Sequence, residues 1–92
     1  PAFAQTFAEQ ARIDVSELAD IVAEHSVPRL RHWLHRVSGG LSVLGKSRLL
    51  DDCLQLREQA AQASGWNDAI EQRGRAIGDK LQSMLSLTAG HD

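Results

Sequence analysis

The chain has 92 residues, 42% of them hydrophobic and 24% charged, which is enough for one domain around one core and too few for a nucleotide-binding domain with a separate substrate domain. Its formal net charge of −2 gives no global positive field for nucleic acid or an anionic membrane. One cysteine, Cys53, excludes an internal disulfide framework and fits a reducing compartment, and no apolar run approaches the roughly 20 residues that span a bilayer.

The composition is rich in Ala, Leu, Gln, Glu and Arg, with only two prolines, and favours helix over strand. The chain opens on Pro1 rather than Met, as a piece of a longer protein or a processed terminus would. Residues 2–10 read as a short Ala-rich helix with Phe3 and Phe7 at i, i+4. Asp14 followed by Glu17 reads as a capping signal for a second helix over about 15–25, with Val15, Leu18, Ala19 and Val22 on one face. Ser26-Val27-Pro28 is an N-cap with proline in the first turn. The helix it opens, about 27–44, carries Leu30, Leu34, Val37, Leu41 and Leu44 as its apolar stripe, Trp33 at the edge, and Gly45 as its stop. A helix over about 47–63 presents Leu49, Cys53, Leu56, Ala60 and Ala63 and stops at Gly65. The last, about 67–87, presents Ile70, Ile77, Leu81 and Met84, with Gly74 and Gly78 near that face to permit close packing. His25 reads as a helix-end residue and His91 as part of the tail. Short connections between amphipathic helices predict a single all-α domain over 1–92, an antiparallel four-helix bundle with a short extra N-terminal helix.

The chemistry concentrates in His35-Arg36-Val37-Ser38-Gly39-Gly40-Leu41-Ser42-Val43-Leu44-Gly45. At about 100° per residue, His35 points roughly 140° away from the centre of the apolar stripe. Its surface neighbours are Arg31 and Ser38, with Gly39 and Ser42 one turn on. Two glycines in mid-helix destabilise unless another demand is met. A missing side chain beside an exposed histidine leaves room for a protein surface to reach the ring. Neutral imidazole is well populated near pH 7 and is a suitable nucleophile toward an acyl phosphate.

The run His35-x-Val37-Ser38-Gly39-Gly40-x-x-x-Leu44-Gly45 resembles the phosphorylation motif of histidine phosphotransfer (HPt) domains. That motif has an aliphatic residue two after the histidine, usually Lys three after, Gly four after and Gly near ten after. Leu49-x-x-x-Cys53-x-x-Leu56 resembles the helix that follows it in the family. The resemblance covers residues 15–63, and the predicted helix order is compatible through 87. It implies a four-helix bundle core in which His35 takes a phosphoryl group from a receiver-domain aspartate and gives it to a response-regulator aspartate. It also implies that magnesium belongs to the receiver, so that this domain needs no cofactor or metal of its own. Many such domains are the C-terminal module of hybrid sensor histidine kinases, virulence sensors among them, and this chain is expected to be one, in the cytoplasm. No Gly-rich phosphate loop is present, so a phosphotransfer intermediate without its own ATP site is expected rather than an autonomous enzyme.

Ser38 stands where the family usually has lysine. Arg57, at the position where relatives often carry Gln or Glu, is a candidate substitute for that cation, or else a snorkelling rim residue. Ser38 and Ser42 are solvated helix surface or hydrogen-bond partners of the imidazole or phosphate. Arg31 and Arg36, with Gly39, are candidates for docking the receiver. Residues 29–57 are locally basic and 9–24 acidic, so a basic rim around His35 would suit a receiver's acidic active site. His32 and His35 at i, i+3 could hold a metal, but no Asp, Glu or Cys joins them on that helix face. The alternative reading from another class is a non-catalytic helical docking or dimerisation module, in which His35 is dispensable.

Overall fold

No glycine or proline interrupts residues 2–27, and in the computed structural model, which describes residues 2–89 and the side chains of residues 5–87, most of that stretch forms one long helix, α1 (Ala2–Glu24). The predicted break between a short N-terminal helix and a second one does not occur. Asp14 caps nothing: it is buried within α1, where its Oδ1 accepts hydrogen bonds from Gln10 (3.0 Å) and Arg36 (2.8 Å). The side chains of Pro1 to Ala4, Phe3 among them, and His91 lie outside what is described.

Helix α1 ends in a Schellman-type turn. His25 adopts the left-handed conformation (φ 54°), its N–H reaches Val22 O and that of Ser26 reaches Ile21 O. Ser26 then caps α2 (Val27–Val43), its Oγ accepting from Arg29 N–H with Pro28 in the first turn, as the sequence predicts. Gly45 (φ 94°) follows the Leu44 C-cap. Ser47 caps α3 (Arg48–Gln62) by accepting from Leu50 N–H, and Asn67 caps α4 (Asp68–Ala89) by accepting from Ile70 N–H. Helix α3 stops at Gln62, short of Gly65, because Ala63 turns to extended backbone.

The four helices run up and down through short turns, each packed on its chain neighbours, with α4 closing against α1. Helices α1 and α3 therefore lie diagonally, with no close backbone approach among the described residues. The core between them joins Leu18 and Ile21 of α1, Leu30, Trp33 and Leu34 of α2, Cys53 and Leu56 of α3, and Ile70 and Ile77 of α4. Trp33, predicted at the edge of the stripe, is wholly buried (0% exposed), and its Nε1–H is satisfied by Asp14 O at 3.0 Å. Leu44, predicted as the last residue of that stripe, is 52% exposed because the helix has already ended. A smaller cluster of Ala8, Ala11 and Leu85, backed by Phe7 and Val15, ties the first half of α1 to the end of α4. A Cβ at Gly78 would stand 3.3 Å from Leu18 Cδ2 and one at Gly74 3.7 Å from Val22 Cγ2, so small residues on α4 do set how closely it meets α1. Among the described residues no helix is long and apolar enough to cross a membrane.

Candidate functional site

Helical phase divides the surface of α2 into two sides. Pro28, Arg31, His32 and His35 fall on the side toward α3. There, with Leu54, Arg57, Glu58 and Ala61 of α3, they line an open groove of about 760 Å³. Arg36, one residue after His35, is about 100° further round the helix and faces α1 instead. Its guanidinium bonds Asp14 Oδ1 at 2.8 Å and Glu17 Oε1 at 3.2 Å, and the Asp14 hydrogen bond foremost holds its pKa above the ordinary arginine value. Arg36 is therefore an α1–α2 clasp, and the expectation that it joins a docking rim around His35 is corrected.

His35 is exposed in the middle of α2, as its phase predicts. A Cβ built at Gly39 meets nothing within 4 Å. The clearance one turn along from the ring is thus real space. A Cβ at Gly40 also meets nothing, so Gly40 is no packing contact. It opens onto a different groove, shared with Phe7, Gln10 and Asp14 of α1 and Leu81 of α4.

The two serines part company. Ser38 is buried (4% exposed), and its hydroxyl donates to Leu34 O, one turn back. It is neither solvated surface nor a partner of the imidazole, and both expectations for it are corrected. A satisfied hydroxyl can be buried at the margin of an apolar stripe without cost from a lost hydrogen bond. Ser42 is exposed, and its Oγ donates to Gly39 O at 2.7 Å. Its proton is committed to the helix, though its lone pairs stay open to solvent.

Arg57, also exposed, is brought to the groove with His35 and Arg31. Position 38, where the family resemblance would put a cation, points inward, and the guanidiniums on the walls of the groove come from positions 31 and 57. Neither Arg31 nor Arg57 forms an ion pair with a described residue, whereas Arg29 pairs with Glu24, Arg75 with Glu71 and Lys80 with Asp52. Sequence reasoning also missed Glu58, a carboxylate that α3 adds to the groove, where it accepts from Gln62 Nε2 at 2.8 Å. His32, Leu54 and Ala61 complete the lining. Among the described residues no three His, Cys, Asp or Glu side chains are grouped to hold a metal ion.

Cys53 is fully buried, and that burial pushes its thiol up to about 11, away from reactivity at neutral pH. Its place is in the core, as its position in the apolar stripe predicts. Set against protein families, curated proteins and solved structures, the chain matches none.

Proposed function

We propose that this domain is a phosphorelay intermediate in two-component signalling, with His35 as its phosphoacceptor. The observation that carries the reading is the pairing of an exposed mid-helix His35 with open space at Gly39 on the next turn. The motif resemblance around His35 supports it, and so does a cationic groove on the same face. The partner is the receiver domain of a hybrid sensor kinase, and then that of a response regulator. Magnesium sits on the receiver, and this domain needs no ATP site.

In the forward step a neutral ring nitrogen of His35 attacks the phosphorus of an aspartyl phosphate. The N–P bond forms as the P–O bond to the carboxylate breaks, and the electron pair leaves with the carboxylate. The proton on the other ring nitrogen remains with the imidazole and exchanges with water. Transfer onward reverses these bonds onto a second aspartate. What the domain supplies is position, access and charge, the main levers of phosphoryl transfer.

The test is phosphotransfer profiling against a panel of phosphorylated receivers. A cognate receiver labels the wild-type domain with an acid-labile, base-stable phosphate, and His35→Gln takes none. Label on His35→Gln refutes the assignment. The docking-module reading rests on exposed apolar side chains, chiefly Val43 (81% exposed) and Leu44 at the end of α2. It requires His35→Ala to keep every partner-dependent effect while Val43→Ser or Leu44→Ser abolishes binding.

A further inference from the structure

Carboxylates concentrate on α1, whereas α2 carries basic side chains and no carboxylate. Helix α1 carries Glu9, Asp14, Glu17, Asp20 and Glu24, and the basic side chains of α2 nearest to it are neutralised there, Arg29 by Glu24 and Arg36 by Asp14 and Glu17. Helix α3 lies diagonally across from α1, so this acidic surface does not reach the α2–α3 groove. Within the groove Arg31 stands on one wall and Arg57 on the other, with His32 and His35 beside them. The single carboxylate in the lining, Glu58, is engaged by Gln62.

We infer that this groove is a binding site for the phosphoryl end of acyl phosphates, free small molecules as well as protein-borne ones, with Arg31 and Arg57 holding the phosphoryl oxygens while His35 attacks. The inference rests on reading His35 as the phosphoacceptor and names its substrate class.

Three features point to that class. Two guanidiniums from facing helices suit a dianionic phosphoryl group, which each can engage through paired N–H donors. The groove is open and about 760 Å³ in volume, so a small donor can enter with no partner protein to deliver it. The leaving group settles the rest. An acyl phosphate departs as a carboxylate, stable without a proton at neutral pH, whereas a phosphate ester departs as an alkoxide that needs a general acid. Beside His35 the lining offers only the exposed Glu58 and His32 to carry such a proton, and neither a Gly-rich loop nor a Phe, Tyr or Trp platform for a nucleotide. With acetyl phosphate the step balances: the N–P bond to His35 forms, the P–O bond to the acyl oxygen breaks, and acetate leaves with the electron pair.

The experiment incubates the 92-residue chain with acetyl phosphate and, in parallel, with phosphorylated receivers, following acid-labile phosphate by intact mass. Acetyl phosphate should label the wild type and not His35→Gln. Arg31→Ala and Arg57→Ala should each lower the second-order rate constant for labelling by acetyl phosphate by about tenfold, mainly by raising the half-saturating concentration, as expected for one charge-assisted contact. Arg57→Lys should recover part of that loss, and Arg12→Ala on α1 should leave the rate unchanged. Both arginines are exposed, and circular dichroism verifies that the variants remain folded. Labelling by receivers but not by acetyl phosphate overturns this inference and leaves His35 as the relay residue. Wild-type rates in both arginine variants also overturn it. Label that survives His35→Gln, or a wild type that accepts phosphate from neither source, overturns both readings.

Discussion

Gly39 and Gly40 lie side by side in α2, and both cost helix stability for which the bundle core offers no reason. Nothing stands within 4 Å of a Cβ at either position, so alanine fits both without moving a neighbour. Each Gly→Ala change should therefore stabilise the fold by about 1 kcal/mol, the difference in helix propensity. In a domain of this size that raises Tm by about 4–8 °C. The two positions then diverge. A helical side chain leans back over the turn that precedes it, so a residue at 39 covers His35 and a residue at 40 covers Arg36. Gly39→Leu should stay folded yet slow phosphotransfer from a receiver by at least about tenfold, equivalent to ~1.4 kcal/mol in the transition state. Gly40→Ala should transfer normally. Urea unfolding gives the stabilities and receiver-dependent labelling gives the rates. Wild-type transfer by Gly39→Leu would remove the steric argument for the glycine. Equal slowing by Gly40→Ala would show that helix stiffness, not clearance, is what matters.

Other perturbations test the frame around the groove. Arg36→Ala leaves the buried carboxylate of Asp14 with Gln10 as its remaining side-chain donor. It should destabilise by about 1–2 kcal/mol, a figure held down by solvent screening of a guanidinium that is 38% exposed, while leaving His35 phosphorylation unchanged once the protein is folded; a loss of transfer in the folded variant would return Arg36 to the docking surface. Gly78→Ala, whose Cβ would press on Leu18 Cδ2 at 3.3 Å, should gain less stability than Gly74→Ala, and paired melting curves check the order. Cys53, with its thiol pushed up to about 11 by burial, should react with a disulfide reagent at pH 8 only as fast as the bundle opens; prompt labelling without denaturant would contradict its place in the core. The carboxyl of Glu71 is lowered chiefly by the hydrogen bond from Trp66, with help from Arg75 and His25. Because its folded pKa lies below the unfolded value, its contribution is present above the ordinary glutamate range and is lost as pH falls through the folded pKa. Glu71→Gln should lower stability at neutral pH, leave it nearly unchanged below the folded pKa, and so flatten that part of an acid-unfolding profile.

How far the sequence can be read depends on whether a residue's setting is local. The limits of α2 are legible because Ser26, Pro28 and Gly45 act on their own backbone, and the exposure of His35 follows from phase alone. The continuity of α1 is not legible in the same way. Asp14 and Glu17 carry the spacing of a capping box, but the same spacing puts two carboxylates on one helix face, and here that face meets Arg36, 22 residues away from Asp14. Trp33 is similar: its full burial depends on a backbone acceptor at Asp14 that no local pattern reveals. Ser38 misleads for the opposite reason, since its hydroxyl is satisfied within its own helix and so does not need the solvent its polarity suggests. Arg36 is the instructive error. Adjacency to His35 in sequence makes it look like part of the site, yet consecutive helix residues diverge by about 100°, and the apolar stripe already fixes which way each points. Arg31, four residues before His35, shares its side of the helix by the same rule. Arg57 joins that side only because α3 packs against α2, a long-range fact that the sequence supports through the order of its helices and the shortness of the turn between them.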